Sequence, residues 1–175
     1  MSAPITVFVQ VGEGFSPVGA GLTLLPMVVG MVAGMAGGFM LVKPLGRHLL
    51  HLGITVVAAG AVTLALTMTG LHHASIWDLV PSLVLIGLGF GGSIGQLFDF
   101  IVAGVSMDEV GSASGVLEAV QQISSAAGVA ALGTIFFTAY AHHLPTHALA
   151  ITAWACLVPI AATFGLLFKL PKRAR

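Results

Sequence analysis

Charged side chains are scarce in this 175-residue sequence, which contains six Lys or Arg residues and six Asp or Glu residues. Soluble domains carry about 25% charged residues, whereas this chain has 7%, with 57% hydrophobic residues and a mean hydropathy of +1.06. The composition therefore predicts a membrane protein. Because the formal net charge is zero, no basic surface is available to attract nucleic acid, and a nucleic-acid-binding role is excluded.

Cysteine is nearly absent, since Cys156 is the single one in the sequence. This excludes a disulfide framework within the chain and any multi-thiolate metal site. Seven histidines lie in or beside short polar breaks, and we interpret them as solvated or interfacial, with an incidental metal site as the alternative. They are His48, His51, His72, His73, His142, His143 and His147. No metal or other cofactor is expected.

Catalytic motifs are also missing. The sequence contains neither HExxH nor GxSxG, and no nucleophile stands beside a base within an apolar run. A membrane-embedded enzyme would need such a pair or a metal cluster at membrane depth. The sequence therefore does not predict an enzyme.

Long apolar runs are what the sequence has in abundance. A helix needs about 20 apolar residues to cross the hydrocarbon core, and five runs reach that length: residues 18–42, 49–70, 79–105, 113–140 and 148–170. Residues 1–12 are apolar but too short, and they lack the basic start of a signal peptide, so we interpret them as a truncated helix. The breaks are under ten residues, which predicts antiparallel neighbouring helices in one transmembrane domain over residues 1–175.

The basic residues predict the orientation of these helices. If the helices alternate in direction, all six fall on one side of the membrane: Lys43, Arg47, Lys169, Lys172, Arg173 and Arg175. Short loops rich in Lys and Arg remain cytoplasmic. The sequence thus predicts a multi-pass plasma-membrane protein whose C-terminal tail, residues 171–175, is cytoplasmic.

Glycines recur every four residues in three of the predicted spans. The stripes are Gly30, Gly34 and Gly38 in the first span, Gly87, Gly91 and Gly95 in the third, and Gly111 and Gly115, continued by Ala119, in the fourth. Small residues at this spacing let helix backbones approach closely in lipid. Static packing or dimerisation is one interpretation, and smooth faces that slide or rock during a transport cycle are the other.

Polar side chains interrupt the third and fourth spans at similar depth. Gln96 and Asp99 share one helix face, and Glu118 lies with Gln121 and Gln122 on the next helix. At about 1.5 Å per residue, both carboxylates lie some 9 to 10 Å from the connecting loop. Ionisable residues at membrane depth usually face a protein interior or a water-filled cavity and mark ion or proton pathways.

Two interpretations of these polar residues stay open. Asp99 and Glu118 are candidates for a proton-coupling pathway, and the alternative is that each lies close enough to the cytoplasmic interface to be merely hydrated. Gln96, Gln121 and Gln122 are candidates either for substrate contact or for hydrogen bonds between helices.

Three segments carry a resemblance to a known family. They are "GFSPVGAGLTLLPMVVGMVAG" at residues 14–34, "PLGRHLLHLG" at 44–53 and "VGSASGVLEAVQQISSAAGVAALGTIFF" at 110–137. Together they resemble the C-terminal part of a major facilitator superfamily transporter, and are most similar to the fourteen-helix drug:proton antiporters of the EmrB/QacA type. The resemblance covers nearly the whole chain, and its third segment is the most specific.

The resemblance implies an all-α membrane fold, the C-terminal half of a major facilitator transporter, with five full helices and one truncated helix. It implies efflux of hydrophobic or cationic small molecules in exchange for protons, with substrate held between two bundles. The expected partners are the lipid bilayer, substrate, protons, and a missing N-terminal bundle or a second copy. The alternative is a transport-inactive fragment or an accessory membrane subunit.

The chain also departs from the family pattern. The glycine- and proline-containing antiporter signature belongs to the N-terminal bundle and is missing here. Lys43 and Arg47 stand where a basic loop motif would be, without its usual acidic partner, and this loop is either a cytoplasmic gate or a topological anchor. Glu118 stands where many relatives are expected to have asparagine, so a coupling role there would be particular to this protein.

Overall fold

The computed structural model describes Ile5 and residues 17–45, 48–70, 75–102, 109–142 and 144–167. Six helices follow one another, and no strand occurs in these ranges. They are α1 (Pro17–Thr23), α2 (Leu25–Leu45), α3 (His48–Thr69), α4 (Ile76–Val102), α5 (Val110–Tyr140) and α6 (Pro145–Leu167). The prediction of an all-α fold is confirmed.

Five spans in the described residues are long and apolar enough to cross a membrane, as the sequence predicts. The first of them, Gly21–Val42, includes the end of α1 and most of α2. The others lie in α3, α4, α5 and α6. These lengths and compositions define a multi-pass α-helical membrane protein.

Residues 18–42, predicted as a single span, are divided at Leu24 between α1 and α2. Pro26 explains the division, because proline has no backbone N–H and its ring clashes with the carbonyl four residues earlier. A tighter turn bridges the gap, with the Leu24 N–H donating to the Gly21 carbonyl at 3.1 Å. Pro26 thereby lies in the first turn of α2, where the missing N–H costs little.

Helix α4 begins with a side-chain cap. The Asp78 carboxylate accepts a hydrogen bond from the Ser75 backbone N–H at 2.8 Å. A serine followed three residues later by an acid is typical of a capping box, which satisfies N–H groups that have no partner inside the helix. The pair fixes the start of α4 at the end of the bundle opposite the predicted cytoplasmic loops.

The buried core lies at that same end of the bundle. It joins the end of α3, the start of α4, the end of α5 and the start of α6: Ile5, Leu64, Ala65, Met68, Leu79, Leu83, Phe136, Ala139, Ala148, Leu149, Ala150 and Ala153. Phe136 is 1% exposed and stacks on Tyr140, with ring centroids 5.9 Å apart. Aromatic packing of this kind fixes the last turns of α5 against the bundle.

Helix α4 is the centre of the packing. It contacts α2 most extensively and α3 next, whereas α5 packs chiefly on α6 and only slightly on α4. The three helices α2, α4 and α3 therefore form a layer, which we call the central layer. Helix α5 stands largely outside it.

Candidate functional site

The glycines of α2 and α4 lie where the two helix backbones come closest. A Cβ atom added at Gly34 would overlap the Leu88 carbonyl and lie 3.0 Å from the Gly92 nitrogen. A Cβ at Gly91 would overlap the Met31 carbonyl in the same way. Only glycine fits at such positions, because any other residue would force the helices apart.

The same arrangement recurs along the interface. Gly30 faces the Val84 carbonyl, Gly87 faces the Met27 carbonyl, and a Cβ added at Gly38 would lie 3.2 Å from the Gly92 oxygen. The side chains and surroundings of residues 95–102, including Gly95, lie outside the described part of the chain. Each helix thus directs carbonyl oxygens at glycines of the other, an arrangement that also permits weak Cα–H···O contacts.

A second glycine interface, which the spacing pattern alone did not single out, joins α4 to α3. A Cβ at Gly89 would overlap the Gly53 carbonyl and lie 2.7 Å from the Val57 nitrogen. A Cβ at Gly60 would lie 2.8 Å from the Ile86 side chain. Helix α4 is therefore held through glycines on two sides.

Glycines Gly111 and Gly115 of α5 are in a different situation. A Cβ added at either would meet no atom within 4 Å. Within the described residues, this stripe has no packing partner in the chain, although its spacing is the same as in α2.

Glu118, Gln121 and Gln122 are all exposed on α5. An α-helix completes five turns in about 18 residues, so positions 18 apart lie on one side. Glu118 is 18 residues before Phe136, and Gln122 is 18 before Tyr140. Glu118 and Gln122 therefore lie on the same side of α5 as Phe136 and Tyr140. That side is exposed near the start of the helix and packs into the core near its end.

The predicted pairing of Asp99 with Glu118 involves side chains outside the described set. Asp99 and Gln96 lie within α4, but the side chains of 95–102 are not described, and the same holds for Lys43 in the last turn of α2. Arg47 lies outside the described residues altogether. The placement of these four side chains stays a prediction.

A groove of about 400 Å³ lies between α5 and α6 near the core end, and it contains none of the predicted site residues. Its lining is Thr134, Ile135, Thr138, Ala139, His142 and Ile151. Within the part of the chain that the structure describes, no group of three or more His, Cys, Asp or Glu residues could hold a metal ion.

Three known proteins are similar to this chain. The "Probable actinorhodin transporter" of Streptomyces coelicolor is 44% identical over 139 residues, 78% of this chain and 24% of the relative. The "Multidrug efflux pump LfrA" of Mycolicibacterium smegmatis is 36% identical, over 78% of this chain and 27% of the relative. The "Puromycin resistance protein pur8" of Streptomyces alboniger is 30% identical, over 82% of this chain and 29% of the relative.

These relatives are drug transporters of the major facilitator type, and the chain belongs to that superfamily. It spans about a quarter of the length of each of these three relatives. No family model matches the sequence, and no solved structure matches it either.

Proposed function

We propose that this chain forms the C-terminal bundle of a proton-coupled efflux antiporter in the plasma membrane. Its substrates would be hydrophobic or cationic organic compounds, the class that the sequence resemblance implies and that the names of the relatives support. The basic residues of the loop after α2 and of the C-terminal tail would lie in the cytoplasm. The protein would act as a transporter and not as an enzyme.

The observation that carries this proposal is the position of Glu118 on α5. A carboxylate is costly in lipid and is normally retained only where it faces a protein interior or water. Glu118 is exposed, yet it lies on the side of α5 that turns toward the bundle core at Phe136. This position suits a group that exchanges protons with a transport cavity.

Asp99 is the proposed partner of Glu118 in proton coupling. Asp99 lies three residues before the end of α4 and Glu118 eight residues after the start of α5, and the two helices are consecutive. Gln96, Gln121 and Gln122 would then contribute hydrogen bonds to substrate or between the helices. Alternating access also requires a second bundle, which would be supplied by further helices of the transporter or by a second copy.

Gly111, two turns before Glu118, lies on the same side of α5 as the carboxylate, so a second bundle that docks on these exposed glycines would enclose the cavity proposed for Glu118. Gly111 and Gly115 meet nothing within 4 Å, and small residues at this spacing favour close helix contact in lipid. Because the chain spans about a quarter of its relatives' length, a packing partner for α5 is expected from the rest of the transporter.

The test is the efflux reaction in everted membrane vesicles containing the protein, measured as ethidium accumulation inside the vesicles with and without an imposed proton gradient. We expect Glu118→Gln and Asp99→Asn to lower gradient-dependent efflux at least about tenfold, because an amide side chain neither takes up nor releases a proton near neutral pH. Glu109→Gln, at the exposed start of α5, is the matched control and should retain efflux. If Glu118→Gln and Asp99→Asn both retained the gradient-dependent transport of the unmodified protein, the proposal would be contradicted.

A second function, that of an accessory membrane subunit without transport activity, is favoured by the unpacked glycine stripe of α5. Native gel electrophoresis in mild detergent separates the two. An assembly with another membrane protein, together with no gradient-dependent efflux by the unmodified protein, would favour the accessory role. Gradient-dependent efflux would favour the transporter.

A further inference from the structure

The open groove between α5 and α6, which we call the α5–α6 groove, lies beside the loop that joins these two helices. Of its lining residues, Thr134 and Ile151 are the farthest from that loop. Thr134 lies six residues before the end of α5, and Ile151 lies six residues after the start of α6. At 1.5 Å per residue, the groove therefore reaches about 9 Å into the helices, which is less than the roughly 15 Å of hydrocarbon in one leaflet.

The groove lies on the side of α5 that carries large exposed apolar side chains. Positions 18 residues apart share a side of an α-helix. Thr134 therefore shares a side with Val116, which is 65% exposed, and Thr138 shares one with Val120, which is 54% exposed. Exposed apolar side chains on a membrane-spanning helix suit lipid, so the groove is continuous with a lipid-facing surface.

The opposite side of α5 makes the contacts with protein. Thr134 and Thr138 are each two residues from Phe136, a rotation of about 200°, so the groove lies nearly opposite the side on which Phe136 enters the core. Gly111 and Gly115 lie within about 60° of Phe136 around the helix axis. A second bundle docked on these glycines would therefore leave the groove open to the bilayer.

The chemistry of the groove changes from its inner end to the loop. Ile135 and Ile151 contribute apolar side chains to the lining. Thr134 uses its only O–H donor within the helix, where it donates to the backbone carbonyl one turn earlier at 2.8 Å. His142, in the turn after α5, is exposed and lines the groove at its loop end. An apolar channel that ends at a hydrogen-bond donor matches an acyl chain joined to a polar headgroup.

The charge near the loop end of the groove suits a phosphate group. Residues 119–175 contain no Asp or Glu, so no carboxylate from them would repel an anion. His142, together with His147 in the first turn of α6, can offer imidazole N–H donors. Asp78, at the same end of the bundle, already accepts a hydrogen bond from the Ser75 backbone N–H.

We propose that the α5–α6 groove binds an acyl chain of one phospholipid, from the leaflet on the side of the α5–α6 loop, with its phosphate beside His142. The bound chain bridges α5 and α6 close to the core end, where α5 is attached to the bundle. The inference goes beyond the proposed transport function, and it stands or falls independently of proton coupling.

Trp154 is a natural reporter for the groove. It is 44% exposed, and it lies three residues after Ile151, on the same side of α6. In a Trp77→Phe background it is the single tryptophan. Phosphatidylcholine with a nitroxide on its acyl chain quenches tryptophan fluorescence on contact. Titrated into the protein in mild detergent, it should give saturable quenching with one site per chain, whereas lipid merely dissolved in the micelle quenches without saturation.

A bulky side chain in the groove should remove the saturable quenching. Thr138→Phe introduces one at an exposed position of the lining. Thr163→Phe, at an exposed position of α6 outside the lining, is the matched control and should keep the quenching. Saturable quenching that persists in Thr138→Phe, or that is missing in the Trp77→Phe background itself, would overturn the site.

The contact with the phosphate has a separate test. His142→Leu should weaken binding of the nitroxide phosphatidylcholine at least about fivefold, because a hydrogen bond to a charged group is lost. Binding of a diacylglycerol with the same nitroxide chain should not change, since it has no phosphate. His48→Leu, an exposed histidine at the other end of the bundle, is the control. Equal effects of His142→Leu on the two lipids would overturn the phosphate contact.

Other occupants of the groove would give different results. Displacement of the nitroxide lipid by ethidium, but not by unlabelled phosphatidylcholine, would overturn the lipid site and assign the groove to transported compounds. A dimer in size-exclusion chromatography that Thr138→Phe dissociates and Thr163→Phe does not would overturn it in favour of a second copy of the chain.

Discussion

The glycine stripes of α2 and α5 have the same four-residue spacing but opposite surroundings. A Cβ at Gly34 of α2 would overlap the backbone of α4, whereas one at Gly115 of α5 would meet nothing within 4 Å. A small-residue pattern therefore indicates that a helix can be approached closely, and the tertiary structure decides whether a partner is there. In this protein the central layer is closely packed and α5 is open.

The central layer and α5 should also differ in how freely their helices can move. Interlocked carbonyls and glycines on two sides of α4 leave little room for α2 or α3 to slide along it. Helix α5 is tied to the bundle mainly at its core end, through Phe136 and Ala139. We therefore expect the central layer to behave as one rigid unit and α5 to be the helix whose position changes.

The largest effect should come from Phe136→Ala, which removes the largest side chain of the core end. Cavity formation at buried aromatics costs about 3–5 kcal/mol, and α5 would lose its attachment. The neighbouring Phe137→Ala, at a side chain 55% exposed, should change stability much less. Thermal unfolding in detergent, followed by size-exclusion chromatography, measures the difference, and equal losses would contradict the attachment of α5 at Phe136.

A smaller but still clear effect is expected from Gly34→Ala in the central layer. The added methyl group must displace the backbone of α4, and such overpacking costs about 1–3 kcal/mol. Gly37→Ala is the control in the same helix, because nothing lies within 4 Å of a Cβ there. In the same thermal assay, the unfolding temperature should be lowest for Gly34→Ala, intermediate for Gly38→Ala and highest for Gly37→Ala. Insensitivity at Gly34 would mean that α2 and α4 are not interlocked.

The smallest effect is expected from Gly111→Ala and Gly115→Ala on α5. Their added methyl groups enter open space, so they should not destabilise the 175-residue chain, and the higher helix propensity of alanine should stabilise it by at most about 1 kcal/mol per substitution. If the stripe docks on a second bundle, the same substitutions in the assembled transporter should weaken assembly. Native gels of the chain alone and of the assembled transporter would compare the two effects. A loss of stability in the chain alone would mean that α5 packs on another helix of the same chain at these glycines.

The sequence predicted the helical class and the five apolar spans, because hydrophobic length is a local property. It did not predict the division at Leu24, although Pro26 was its signal. It also could not distinguish the packed glycines of α2 from the open ones of α5, since identical spacings carry no information about partners.

The most direct test of the division between a rigid layer and an open helix is a pair of spin-label distances in nanodiscs. One pair, Val32→Cys with Leu88→Cys, joins α2 to α4 at exposed positions, and the other, Val120→Cys with Leu88→Cys, joins α5 to α4. We predict one narrow distance for the first pair and a broad or two-peaked distribution for the second. Equally narrow distributions for both pairs would contradict the account.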